Sequence, residues 1–257
     1  MTAIFFGLYG AVTYIVFFAT FLYAIAFVGG LPVPKTIDSG EPGSLIPSLI
    51  VDGLLLSLFA VQHSVMARPA FKRWWTRFVP KPIERSTYVL FASLALIVMY
   101  VFWRPLPQPV WSTEGPLALA LTVVFWAGWA MVLVSTFLIS HFELFGLKQV
   151  WDRIRRAPEA PAEFRTPGFY RFVRHPIYLG FALAFWAAPV MSLGHLIFAI
   201  GTLGYILVAI QFEERDLIAA FGERYRAYRR QVGMLIPRPA APRATEPALG
   251  AEIKRGP

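Results

Sequence analysis

The chain has 257 residues, of which 57% are hydrophobic and 15% charged, where a soluble domain carries about a quarter charged residues. A net charge of +9 invites a nucleic-acid reading, which the placement of the basic residues removes below. With no cysteine, disulfides, thiolate metal sites and a cysteine nucleophile are excluded.

The apolar residues fall in long runs, not in alternation, so the bilayer is the expected solvent. The first run covers residues 4–28, has no basic segment before it and is too long for a signal h-region, so it is expected to span. Further runs follow at 45–66, 87–103, 117–140, 177–191 and 196–212. The last two are short and are separated by Ser192-Leu193-Gly194-His195, which reads as the turn of a tight antiparallel hairpin. The fold class is therefore all-α: a polytopic transmembrane bundle of five to six spans.

Basic residues orient the bundle. Six lie between the second and third runs, seven between the fourth and fifth, and nine after the sixth, so 22 of the 24 share one side. Only Lys35 and Arg104 lie opposite. Both termini are expected on the cytoplasmic side of a bacterial inner membrane. The charge is then a topology signal and a contact with lipid, not with nucleic acid. Residues 1–237 read as one membrane domain, and the Pro- and Ala-rich stretch 238–257 as a disordered tail.

This topology gathers chemistry at one rim. His63 closes the second run, His141 closes the fourth and His175 opens the fifth. Each alone reads as an interfacial residue bonded to a helix end; three converging from different helices point to function, because polar groups at membrane depth are costly. In Arg174-His175-Pro176-Ile177-Tyr178-Leu179-Gly180, Pro176 suits the first position of a helix. The free N–H groups of that helix start, with Arg174, suit an anionic group such as a carboxylate. Taken alone, Arg174 and Tyr178 read equally well as interfacial anchors. The hairpin brings Glu213 and Glu214 back beside His175 and Tyr178, where paired acids can bind ribose hydroxyls or an amino group; a solvated helix end is the competing reading. Phe221, Tyr225, Tyr228 and Val232 form one stripe of an amphipathic interfacial helix, serving as a lid or as a surface anchor. No metal-ligand spacing appears, and His141 and Glu143 at i, i+2 splay apart on a straight helix.

The Arg174–Gly180 element, the Glu213-Glu214 pair and the Phe221–Tyr228 helix together resemble the C-terminal half of isoprenylcysteine carboxyl methyltransferases. Gln62-His63-Ser64-Val65-Met66-Ala67-Arg68, Phe71-Lys72-Arg73-Trp74-Trp75, Glu84-Arg85-Ser86-Thr87-Tyr88 and Ser140-His141-Phe142-Glu143-Leu144-Phe145-Gly146 are similar to bacterial methanethiol S-methyltransferases of the nurim-like family. That resemblance covers residues 5–237 and implies S-adenosylmethionine as cofactor, held within 174–237 by Arg174, His175, Pro176, Tyr178, Glu213, Glu214 and Tyr225. It implies methanethiol as the substrate and dimethyl sulfide as the product. The carboxyl methyltransferases usually carry arginine where this chain has Ala209, a charge that a neutral thiol does not need. A base that forms thiolate assists such a reaction, and His63 and His141 are the two candidates, with Glu143 or Glu84 to orient the ring. An isoprenylcysteine-type lipid methyltransferase and a non-catalytic nurim-like membrane protein are the competing readings.

Overall fold

The computed structural model describes residues 2–158 and 163–238. The Pro- and Ala-rich stretch lies, from residue 239 onward, outside the described residues. Among the described residues, five helices have the length and composition to cross a membrane. They are α1 (Thr2–Gly29), α2 (Leu45–Ala67), α4 (Lys81–Phe102), α5 (Gly115–Ile139) and α9 (Leu193–Phe221). Around them lie α3 (Pro69–Trp75), α6 (His141–Leu144), α7 (Leu147–Arg155), α8 (Pro176–Trp186) and α10 (Glu223–Gln231). Large apolar side chains such as Ile4, Leu54, Leu119 and Val208 stay exposed, as expected of a surface that faces lipid.

The hairpin departs from the expected pair of spans. Helix α8 has only 11 residues, about 16 Å at 1.5 Å per residue, roughly half of a hydrocarbon core. Residues beyond it run extended into β2 (Val190–Ser192), which pairs antiparallel with β1 (Pro109–Ser112). Non-helical backbone at this depth needs internal partners, and it has them. Leu193 and Gly194 N–H groups donate to the Gln108 and Leu106 carbonyls, and Trp111 Nε1 donates to Ala188 O. Helix α9, by contrast, has 29 residues and carries Glu213 and Glu214 within its last turns.

Two ends result. At one, Lys35 Nζ donates to Val101 O, the Arg104 N–H donates to Asp52 Oδ1, and Ser192 bonds Asp38. An aromatic core of Phe27, Tyr100, Trp103, Phe125, Trp129 and Phe198 fills the bundle on this side. At the other end, His63 meets Tyr88, Arg68 pairs with Asp216 at 3.0 Å, and Arg174 pairs with Glu214. The start of α8 is set by a close crossing with α5. An added Cβ at Gly180 would lie 2.7 Å from Gly128 O, and one at Gly128 2.6 Å from Gly180 O. Only paired glycines let the two backbones touch there.

Candidate active site

Glu214 is 3% exposed and fully engaged. Its Oε1 accepts from Arg174 Nε at 2.7 Å and lies 3.2 Å from His175 Nε2, while Oε2 pairs with Arg229 Nε at 2.9 Å. Arg174 is itself buried, and its Nη1 donates to the carbonyls of Arg229 and Val232 at 3.2 and 2.5 Å. The chain then runs back alongside this element: the Arg174 N–H donates to Gly233 O and the His175 N–H to Met234 O. Arg174, His175 and Glu214 therefore tie the start of α8, the end of α9 and α10 into one unit. Burial without pairing would be prohibitive for the Arg174 and Glu214 charges; here each finds a counter-charge.

Glu213 differs. Its side chain is 44% exposed, its Oε2 stands 3.9 Å from His175 Nδ1, and it lies within hydrogen-bonding reach of Tyr178. Its charge also acts on Tyr170, Tyr205, Tyr225 and Tyr88. Two of these, Tyr170 and Tyr225, bury hydroxyls that have no partner among the described residues. Burial pushes both above the ordinary tyrosine range, so each keeps its proton as an unused donor. Unmade hydrogen bonds in a buried place cost about 1–3 kcal/mol each, and such groups suit a polar ligand that completes them.

The stripe on α10 faces protein. Phe164 packs against Phe221, Tyr225 and Tyr228 at ring separations of 5.3–5.8 Å, and Tyr228 donates to Tyr170 O at 2.5 Å. Phe221 belongs to the end of α9, and Gly222, at φ +57°, makes the break before α10.

The two candidate bases are placed differently. His63 on α2 has Nε2 at 2.8 Å from the Tyr88 hydroxyl, and its Nδ1 is buried with no partner among the described residues. Phe59 stacks on its ring at 5.1 Å, Tyr205 meets it edge-on at 6.5 Å, and the Arg85 guanidinium sits 5.0 Å above the Tyr88 ring. Electrostatic contact among Tyr88, Tyr205, Tyr178 and Glu213 joins this cluster to the α8–α9 unit. On α9, Tyr205, Ala209 and Glu213 follow at four-residue steps, so they share one face over about 12 Å.

His141 faces elsewhere. It is buried against α1, with Nε2 at 2.8 Å from the Tyr14 hydroxyl and Nδ1 at 2.8 Å from Thr136 Oγ1. Phe137 stacks on it at 4.2 Å. Burial lowers its basicity below that of an ordinary histidine. Tyr14 and Thr136 engage both ring nitrogens, whereas Glu143 is exposed. Glu84 acts on Lys72. Tyr170, Tyr205 and Arg229 carry no motif of their own and escape a reading of the sequence, and Tyr88 stands in a quoted motif without a role; spacing on α9 was the signal available for Tyr205.

A family model described as "protein of unknown function (DUF1295)" matches residues 49–232. The chain is 60% identical to methanethiol S-methyltransferase 1 of Bradyrhizobium diazoefficiens, over 90% of this chain and 81% of that protein. It is 57% identical to methanethiol S-methyltransferase of Mycobacterium tuberculosis, over 90% and 96% respectively. Nurim of Rattus norvegicus is 30% identical over 78% of this chain and 82% of its own length. No solved structure matches. The match to the family model across most of the chain, together with identities above one half to these enzymes, shows that the chain belongs to the DUF1295 family of membrane proteins and, within it, to the methanethiol S-methyltransferases.

Proposed function

We propose that this enzyme methylates methanethiol to dimethyl sulfide with S-adenosylmethionine, at the end of the bundle that carries both His63 and Glu213. The observation that carries the site assignment is the unpartnered, buried Nδ1 of His63, set on the same side as the half-open Glu213. The relatives' activity supports the substrate. Ala209, small and buried between Tyr205 and Glu213, supports an uncharged nucleophile.

The residues around Glu213 fit the cofactor: a half-exposed carboxylate for hydroxyl or amino groups, and the unused donors Tyr170 and Tyr225. The N–H groups at the start of α8 offer a place for a carboxylate. Pro176 opens that helix at N1. Arg174 and His175 hold Glu214 and so position the pocket wall. When bound, S-adenosylmethionine supplies the methyl group: the thiolate sulfur forms the new S–C bond as the old C–S⁺ bond breaks, and its electron pair leaves with S-adenosylhomocysteine.

His63 supplies the thiolate. With Nε2–H donated to the Tyr88 hydroxyl oxygen, Nδ1 carries a lone pair and takes the thiol proton. Base assistance of this kind contributes about 10²–10⁴-fold. Methanethiol, small and apolar, reaches this depth through lipid. The basic residues gathered at this end orient it toward the cytoplasm of the bacterial inner membrane, where the cofactor is made.

Purified protein given methyl-labelled S-adenosylmethionine and methanethiol is expected to release labelled dimethyl sulfide into the headspace. Absence of that product, with the protein folded and cofactor bound, overturns the assignment.

A further inference from the structure

The aromatic side chains around His63 have a geometry that the reaction alone does not require. Phe59 lies one helical turn from His63 on α2, away from the open rim that Glu213 occupies, and stacks on the imidazole with centroids 5.1 Å apart. Tyr205 of α9 meets Phe59 edge to face at 6.1 Å and His63 at 6.5 Å. Tyr88 lies beside the imidazole at 5.0 Å, its ring tilted against it. Phe59 is also packed into the aromatic core, so it has stiff support behind it. The Tyr205 hydroxyl is tethered across the helix pair to Ser64 Oγ at 3.4 Å.

We propose that Phe59 and Tyr205 form a floor beneath the His63 imidazole that limits the alkyl chain length of the thiol accepted. The inference rests on the assignment of thiol methylation to His63. A thiol whose sulfur sits at Nδ1 of His63, within reach of a methyl donor held near Glu213, points its alkyl group away from the donor, toward Phe59 and Tyr205. One carbon fits above closed rings; each added methylene must displace an aromatic side chain braced by the core. Closed packing of this kind is how a site rejects a larger substrate, whereas an open apolar pocket discriminates a single methylene by only about 10–200-fold.

The test compares kcat/KM for methanethiol, ethanethiol and 1-butanethiol in the full-length protein, in wild type, Phe59→Ala, Phe59→Leu and Tyr205→Ala. Leu58→Ala, on the lipid-facing side of α2, is the control. Wild type is expected to prefer methanethiol. Phe59→Ala and Tyr205→Ala are each expected to lower the methanethiol-to-butanethiol ratio at least about tenfold through a lower KM for the longer thiol, with S-adenosylmethionine affinity unchanged by calorimetry. Phe59→Leu keeps an apolar core if the alanine variant does not fold, and is expected to shift the ratio in the same direction by less. If the variants turn over methanethiol with the wild-type chain-length profile, the floor is wrong while the function stands. If the wild type methylates no alkyl thiol, the function itself fails and the floor with it.

Discussion

His63 and His141 are the same residue type at equivalent helix ends, and their partners separate them. His63→Ala is expected to lower turnover by about 10²–10⁴-fold near neutral pH, with cofactor affinity retained. The deficit should shrink as pH rises and bulk solvent supplies thiolate. A pH-independent loss would remove the base role. His141 is expected to matter for stability. Burial lowers its basicity in the fold, whereas in the unfolded chain its ordinary value near 6.5 applies, so acid favours unfolding. Wild-type thermal stability in detergent should therefore fall as pH drops below about 6.5. His141→Gln, uncharged at all pH, should lack that component; an unchanged acid profile in the variant would show that another group carries it. The acidic pair divides in the same manner. Glu214→Gln leaves Arg174 buried without its counter-charge, a loss of about 3–5 kcal/mol for a broken buried pair, read as a lowered Tm. Glu213→Gln is expected to keep the wild-type Tm and weaken cofactor binding by calorimetry. Equal melting losses in the two variants would erase the distinction.

At the level of elements, α8 is placed by contact with α5, and its register decides where Tyr178 stands. Gly180→Ala would put a Cβ against the Gly128 carbonyl, and overpacking of this type costs about 1–3 kcal/mol. Displacement of α8 two residues from Tyr178 is expected to weaken cofactor affinity as well. A variant with normal affinity and normal Tm would show that the crossing yields without consequence. The long helices were legible because a run of some twenty apolar residues has few other fates. The shortness of α8 was not, since residues 187–191 are as apolar as the helix before them, and the chain leaves the helix to pair with β1, which is remote in sequence. The pairing of His175 with Glu214 followed from the hairpin alone. The difference between His63 and His141 could not follow from anything local, because Tyr14 and Tyr88 reach them from other helices. Tyr170 was hidden for a similar reason: only burial makes its hydroxyl conspicuous.

For the molecule as a whole, charge sets orientation and the lack of cysteine makes it measurable. Single cysteines at Gln149, on α7, and at Glu114, at the β1 end, report the two sides. A membrane-impermeant maleimide applied to intact cells is expected to label the Glu114→Cys variant and to reach the Gln149→Cys variant only after permeabilisation. The reverse pattern would place the site outside the cell and break the argument for access to cytoplasmic cofactor.

The tie between Arg174, Glu214 and the segment after α10 has a consequence for biosynthesis. A chain emerging from the ribosome lodges α1, α2, α4 and α5 in the bilayer while Gly233 and Met234, which bond the backbone of Arg174 and His175, are still untranslated. On the proposed site, methyl-transfer competence is expected only once residues 233 and 234 have been made. A stop codon at Val232 is therefore expected to leave an inserted protein that neither binds S-adenosylmethionine by calorimetry nor turns over. Quality control that senses only membrane insertion would not tell it from the complete chain.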